Sequence, residues 1–180
     1  MFLSRLLLWL CYGVLGTAGL SSAVFAEVAP EAEVKAAVVF NLLSFIQWPI
    51  GWQPTSRSLH LCTFEASSIE RELSRHSGKP VHGLFLVIRR IAGSAEELEQ
   101  CQAVFVESAN PSALARAAAT ASSQPLLVVG EGAWALERGA MIGVSLVSGR
   151  VALDVDTVAL RRSRLVASSK LLRLARTLIE

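Results

Sequence analysis

Three features of this 180-residue chain place reactive residue types at spacings that could do chemistry: the cysteines Cys62 and Cys101, a glycine-rich turn, and the carboxylates Asp154 and Asp156. The turn, Gly130-Glu131-Gly132-Ala133-Trp134-Ala135, matches G-x-G-x-x-A between an apolar run and a helical pattern. Acidic Asp154 follows about 20 residues on, as it would in a dinucleotide-binding unit. Here, however, Glu131 would set a carboxylate against the pyrophosphate, Gly139 cuts the helix short, and the motif falls late in the chain. The glycines therefore read as turn positions that need positive φ, and no cofactor is expected.

The other reactive side chains assemble no centre. His60 and Cys62 point to one side of a strand, but a metal site needs further ligands, and His76 and His82 only flank a loop, so no metal is expected. Gly143-Val144-Ser145-Leu146-Val147 lacks the second glycine of a nucleophile elbow and lies in a strand pattern. Asp154 and Asp156 share a strand face and could work as acid and base, yet Asp156 is more simply the N-cap of the following helix. That leaves Asp154 as the carboxylate to watch and no expected catalytic residue.

What must position these residues begins with export. Arg5, the apolar run from Leu6 to Leu20 and the small residues ending in Val24-Phe25-Ala26 read as a secretory signal over residues 1–26, cleaved before Glu27. Tyr12, Gly13, Gly16, Thr17 and Gly19 dilute the run below what a spanning helix needs. Cleavage removes Cys11 and leaves residues 27–180, 154 in all, enough for one core and short for two. Its 16 basic and 15 acidic side chains set up no large field, so no nucleic acid partner is indicated. No later apolar run is long enough for stable membrane insertion. In an oxidising compartment the remaining even pair, Cys62 and Cys101, is most simply a disulfide, two free thiols being the alternative. Closing that 39-residue loop would stabilise the fold by roughly 4 kcal/mol on the chain-entropy argument.

Periodicity then predicts a helix over Glu31–Gln47, ended by Trp48 and Pro49, a strand over Leu59–Phe64 and a helix over Ser67–Ser74. Apolar strand runs at Leu84–Ile91, Ala103–Val106 and Leu126–Val129 alternate with helices at Ala95–Gln100 and Ser112–Ala121. A weak helix near Ala133–Arg138 leads to a hairpin, Met141–Ser148 with Val151–Val155, across Gly149-Arg150, and then to helix as far as the end. The pattern is α/β: a mainly parallel sheet flanked by helices on both faces, with an antiparallel hairpin at one edge. In the last helix, capped by Ser168, Leu171, Leu172, Leu174, Ala175, Leu178 and Ile179 form a core stripe. Lys170, Arg173 and Arg176 repeat on another face, which reads as a solvated face, with an acidic partner as the alternative.

The ends of the exported chain carry a family resemblance. Lys35-Ala36-Ala37, then Phe40-Asn41-Leu42-Leu43-Ser44-Phe45-Ile46-Gln47-Trp48-Pro49, resembles the opening signature of the YfiR-like family. Gly149-Arg150-Val151-Ala152-Leu153-Asp154-Val155-Asp156 and Ser168-Ser169-Lys170-Leu171-Leu172, continued by Leu174-Ala175-Arg176, are similar to its later signatures, so the likeness covers residues 33–178. The chain departs from the family pattern at Arg138-Gly139-Ala140, where a Gly-Gly is common, at Asp156, where an Asn is common, and in lacking a second cysteine pair.

The resemblance implies a periplasmic repressor that binds the periplasmic domain of a membrane diguanylate cyclase, is not an enzyme, forms homodimers and bridges Cys62 to Cys101 as a redox-sensitive element. On that reading Ile142, Asp154 and Leu160, near the last strands, are candidates for the partner or ligand surface. The rival reading is a periplasmic small-molecule or cell-wall-fragment binding protein with Asp154 and Trp134 lining a pocket.

Overall fold

The computed structural model of the protein describes residues 30–51, 56–65 and 67–180. The signal expected over residues 1–26 lies outside the described residues. An eight-stranded, mostly parallel, curled sheet is accompanied by a separate two-stranded antiparallel one. No described helix is long and apolar enough to cross a membrane.

Helix α1 (Glu31–Leu43) buries Ala36, Val39, Leu42 and Leu43 along one stripe. It stops four residues short of the expected end. Phe45 and Ile46 keep the apolar spacing of a helix, but Ile46–Gln47 is extended as strand β1, where Ile46 is fully buried. There it pairs antiparallel with β9 (Val166–Ala167), and the Ser168 N–H donates to the Phe45 carbonyl at 2.8 Å. Tertiary pairing has overridden local periodicity.

Strand β2 (Ser58–Phe64) is followed by α2 (Glu70–Ser74), β3 (Pro80–Val81), β4 (Leu84–Ile91), α3 (Ala95–Glu99), β5 (Ala103–Val106), α4 (Pro111–Ala121) and β6 (Leu127–Glu131). A 3-10 helix (Ala133–Arg138) then precedes β7 (Ile142–Val147), β8 (Arg150–Asp156), α5 (Thr157–Arg162), β9, α6 (Ser169–Leu174) and β10 (Thr177–Ile179). The strand order is β10-β8-β7-β6-β5-β2-β4-β3, parallel except at β7/β8 and β3/β4. Every residue of β5 is buried, as are four of the five in β6, which requires cover on both faces and explains why these runs are apolar without alternation. Local signals fix the helix starts. Ser94 and Glu97 form a reciprocal capping box at α3, and the Asn110 side chain accepts the Ala113 N–H at α4.

The chain end departs from expectation. Ser168 caps α6 through the Leu171 N–H, as predicted, but the helix ends at Leu174 and the chain straightens into β10, which pairs parallel with β8 outside the hairpin. Of the predicted core stripe only Leu171 is buried, while Leu174, Leu178 and Ile179 are 59%, 40% and 43% exposed.

Candidate functional site

Cys62 on β2 and Cys101, just after α3, are joined by a disulfide with the two Cα atoms 6.0 Å apart, and both residues are fully buried. Cys62 lies between Arg89 of β4 and Val104 of β5 in the ladder, so the bridge ties the α3 exit to the middle of the sheet.

The glycine turn is a packing device. Gly132 and Gly139 have φ of 86° and 97°, as a turn reading requires. Gly130 is different, because a Cβ there would strike the side chain of Ala135, so it permits close approach of the 3-10 helix to the sheet. The Glu131 carboxylate points back into the protein, where it accepts the Lys35 ammonium and two bonds from Ser108, N–H at 2.9 Å and hydroxyl at 2.8 Å. Lys35 also pairs with Glu31, so one buried ammonium fastens α1 to the end of β6. Burial by itself raises the Glu131 pKa, but the Lys35 and Ser108 bonds outweigh it and hold the carboxyl below its usual range.

Ile142, Asp154 and Leu160 all lie inside the C-terminal third, and each is at most 2% exposed. Ile142 opens β7 between Val129 and Val155, and Leu160 is the buried residue of α5 nearest its end. Asp154, on β8, is chelated by Arg176, which donates from Nε to Oδ1 at 3.0 Å and from its terminal nitrogen to Oδ2. Burial raises the Asp154 pKa, but the bonds from Arg176 and Thr177 and the Arg176 charge reverse this and leave it below normal. Asp156 caps α5 through the Ala159 N–H at 2.8 Å, as expected. The Thr157 hydroxyl donates to the Ile179 carbonyl at 2.9 Å, so Asp154 and α5 together hold β10 in place. These three residues support a surface from beneath.

The surface above them was not foreseen. Val38, Asn41 and Phe45 of α1, Val151 of β8, and Leu171 and Leu174 of α6 line an apolar groove of about 300 Å³. Val151 and Leu174, with Leu178 nearby in sequence, remain 40%, 59% and 40% exposed. Residues 145–180 carry seven basic and three acidic side chains, against nine and twelve in residues 27–144. The signal available in the sequence was that charge asymmetry, visible only when the chain is divided. Trp134 and Asp154 do not line this groove; Trp134 instead lies under the Arg138 guanidinium, 4.7 Å from its centre.

A second concavity, of about 250 Å³, lies at the carboxyl ends of β2 and β5 and includes Phe64, Ser67, Phe105, Glu107 and Asn110. The chain passes from β2 to β4 on one side and then back to β5 on the other, so this is the switch point where open α/β sheets admit ligands. The Glu107 carboxylate there accepts the Ser68 N–H at 2.9 Å. The histidines each have another partner: His60 faces the Gln100 carbonyl, His76 stacks on Phe40, and His82 faces the Leu43 carbonyl.

The family model described as YfiR/HmsC-like matches residues 32–176. Among solved structures, the chain is similar to a conserved domain protein from Vibrio cholerae O1 biovar El Tor, at 14% identity and TM-score 0.57, covering 82% of this chain and 60% of that one. It is also similar to an ABC domain from Streptococcus pneumonia solved in complex with L-Trp, at 8% identity and TM-score 0.54, with the same coverages of 82% and 60%. At those identities the likeness concerns the fold. The chain spans 60% of the length of each of these structures. No curated protein matches.

Proposed function

The chain belongs to the YfiR/HmsC-like family, and from that premise we propose that it represses an inner-membrane diguanylate cyclase by binding the cyclase's periplasmic domain. Membership supports the coarser role of a periplasmic regulator that is not catalytic. The observation that carries the finer reading is the match over residues 32–176, which takes in α1, the Cys62–Cys101 bridge and the terminal strands alike.

The mechanism is a population shift. A regulator holds its target inactive only by preferring the inactive conformation, and a hundredfold bias needs about 2.7 kcal/mol of differential affinity. Ile142, Asp154 and Leu160 act in this reading by holding β7, β8, α5 and β10 in the shape the partner recognises. The buried bridge keeps the strands beside them in register, and its reduction releases the target. Its burial means that a reductant reaches it only when the fold opens locally. Homodimerisation, and removal of the signal over residues 1–26, complete the reading.

The test is deletion of the gene, and separately Cys62→Ser, with cellular cyclic-di-GMP as the readout. Deletion is expected to raise the level. An unchanged level sinks the repressor reading, and full repression by Cys62→Ser at normal abundance removes the bridge from the mechanism.

A second reading, a periplasmic small-molecule or cell-wall-fragment binding protein, is favoured by the switch-point cleft and by the L-Trp complex of the streptococcal relative. Titration with L-tryptophan, read as a shift in melting temperature, separates the two. No shift at millimolar ligand counts against this second reading for aromatic amino acids.

A further inference from the structure

We propose that the apolar groove between α1, β8 and α6 seats an acidic amphipathic helix of a membrane-bound partner, whose carboxylates meet Arg150, Lys170 and Arg173. The proposal rests on the regulator reading above and adds the chemistry of the contact. The lining is apolar except for Asn41, and the groove is about 300 Å³. Small-molecule sites of roughly 300 to 1,000 Å³ pair apolar walls with several convergent polar groups. A groove between two helices over a strand, without such groups, suits instead the anchors of a third helix at i, i+3 or i+4, and i+7.

Charge on the rim selects the partner. Arg150 adjoins Val151, Arg173 adjoins Leu174, and the Lys170 ammonium sits 5.5 Å from the Phe45 ring centre. None of these three cations has an ion-pair partner among the described residues, whereas Arg176 is committed to Asp154. Apolar anchors supply most of the affinity in such a contact, and rim charges steer the encounter and reject like-charged partners. A second copy docking groove to groove by a two-fold axis would set these cations against their own images, which disfavours it. An acidic helix satisfies both the groove and its rim.

The direct test titrates the purified protein with two synthetic helical peptides sharing leucines at i, i+3 and i+7, one filled with glutamate and the other with lysine. The glutamate peptide is expected to bind at least about tenfold more tightly, with the advantage shrinking as salt rises. Leu174→Asp loses that binding at unchanged melting temperature, and the double variant Arg150→Glu, Arg173→Glu reverses the preference. Equal affinity for the two peptides, or full binding by Leu174→Asp, overturns the proposal. So does sedimentation showing a dimer that Leu174→Asp dissociates, which assigns the groove to a second copy.

The same variant in cells separates the two claims. Cyclic-di-GMP at the deletion level with normally abundant Leu174→Asp supports the groove. Full repression by that variant, where deletion derepresses, overturns the groove and leaves the regulator reading standing. If deletion itself changes nothing, the regulator reading falls, and the peptide preference alone decides the groove.

Discussion

The two flanks of the sheet solve opposite problems. On one side of β5, the strands β2 and β4 are joined by a seven-residue parallel register, and Cys62 and Cys101 are sealed by a bridge with no exposure. On the other side β10 pairs with β8 over three residues only, all of them exposed, and holds its place through Asp154, Thr157 and the backbone. Local stability follows the number of buried contacts and closed hydrogen bonds, so the bridged flank opens with the whole fold and the terminal flank opens on its own. Recognition surfaces are drawn from the second kind of region. The division also runs through the charge, which is acidic up to residue 144 and basic after it.

The sharpest way to break that contrast is to remove the bridge. Cys62→Ser with Cys101→Ser frees a 39-residue loop and should cost about 4 kcal/mol of unfolding free energy in urea. Midpoints equal for the oxidised wild type and the double variant would show that the flank is held by packing alone.

The next effect lies at the seam between α1 and the sheet. Lys35→Met removes the ammonium shared by Glu31 and Glu131 and leaves a half-buried carboxylate with only Ser108 as donor, which should cost about 2 kcal/mol. Glu131→Gln in the Lys35→Met background should recover part of that loss, because the stranded charge is gone. No recovery would mean that Lys35 acts through its packed alkyl stem instead.

Smaller still is the latch on β10. Arg176→Met should raise local opening of β10 about tenfold, seen as lost amide protection at Leu178 and Ile179, with little change in the global midpoint. The latch also has an acid limit. The folded pKa of Asp154 lies below its usual value, so its contribution is present above about pH 4 and is lost as pH falls through the folded value. Protection of β10 should therefore fall below pH 4 in the wild type and lose that dependence in Asp154→Asn. A pH dependence that persists in Asp154→Asn would place the acid limit elsewhere, with Glu131 as the next carboxyl held below its range.

What the sequence made legible divides along the same line. The buried strands β5 and β6 announce themselves as uninterrupted apolar runs, the hairpin by Gly149, the caps at Asp156 and Ser168 by residue type, and the bridge by an even cysteine count in an exported chain. Contacts made far along the chain left no such mark. Lys35 and Glu131 are 96 residues apart, and nothing local tells Phe45-Ile46 that β9 will be available to pair. The chain end is the clearest case. Leu171, Leu174 and Leu178 keep helical spacing, but Arg176 reaches Asp154 only if the chain leaves the helix after Leu174. The groove was hidden for that reason, because a stripe read as core became one buried leucine and a partly open face.

That face gives the smallest stability effect and the most direct comparison, since it can be made within one short helix. Leu171 is fully buried and Leu174 is 59% exposed, three residues apart on α6. Leu171→Ala should cost roughly 2 to 4 kcal/mol by transfer and cavity terms together. Leu174→Asp should move the urea midpoint by no more than about 0.5 kcal/mol equivalent, because little area is lost to water that was not already wet. A leucine kept at the surface for stability would show the opposite ranking, or equal costs. If Leu174→Asp is neutral for folding yet abolishes peptide binding, the terminal flank is separable from the bridged one: the same fold carries a surface whose apolar residues contribute nothing to holding the chain together.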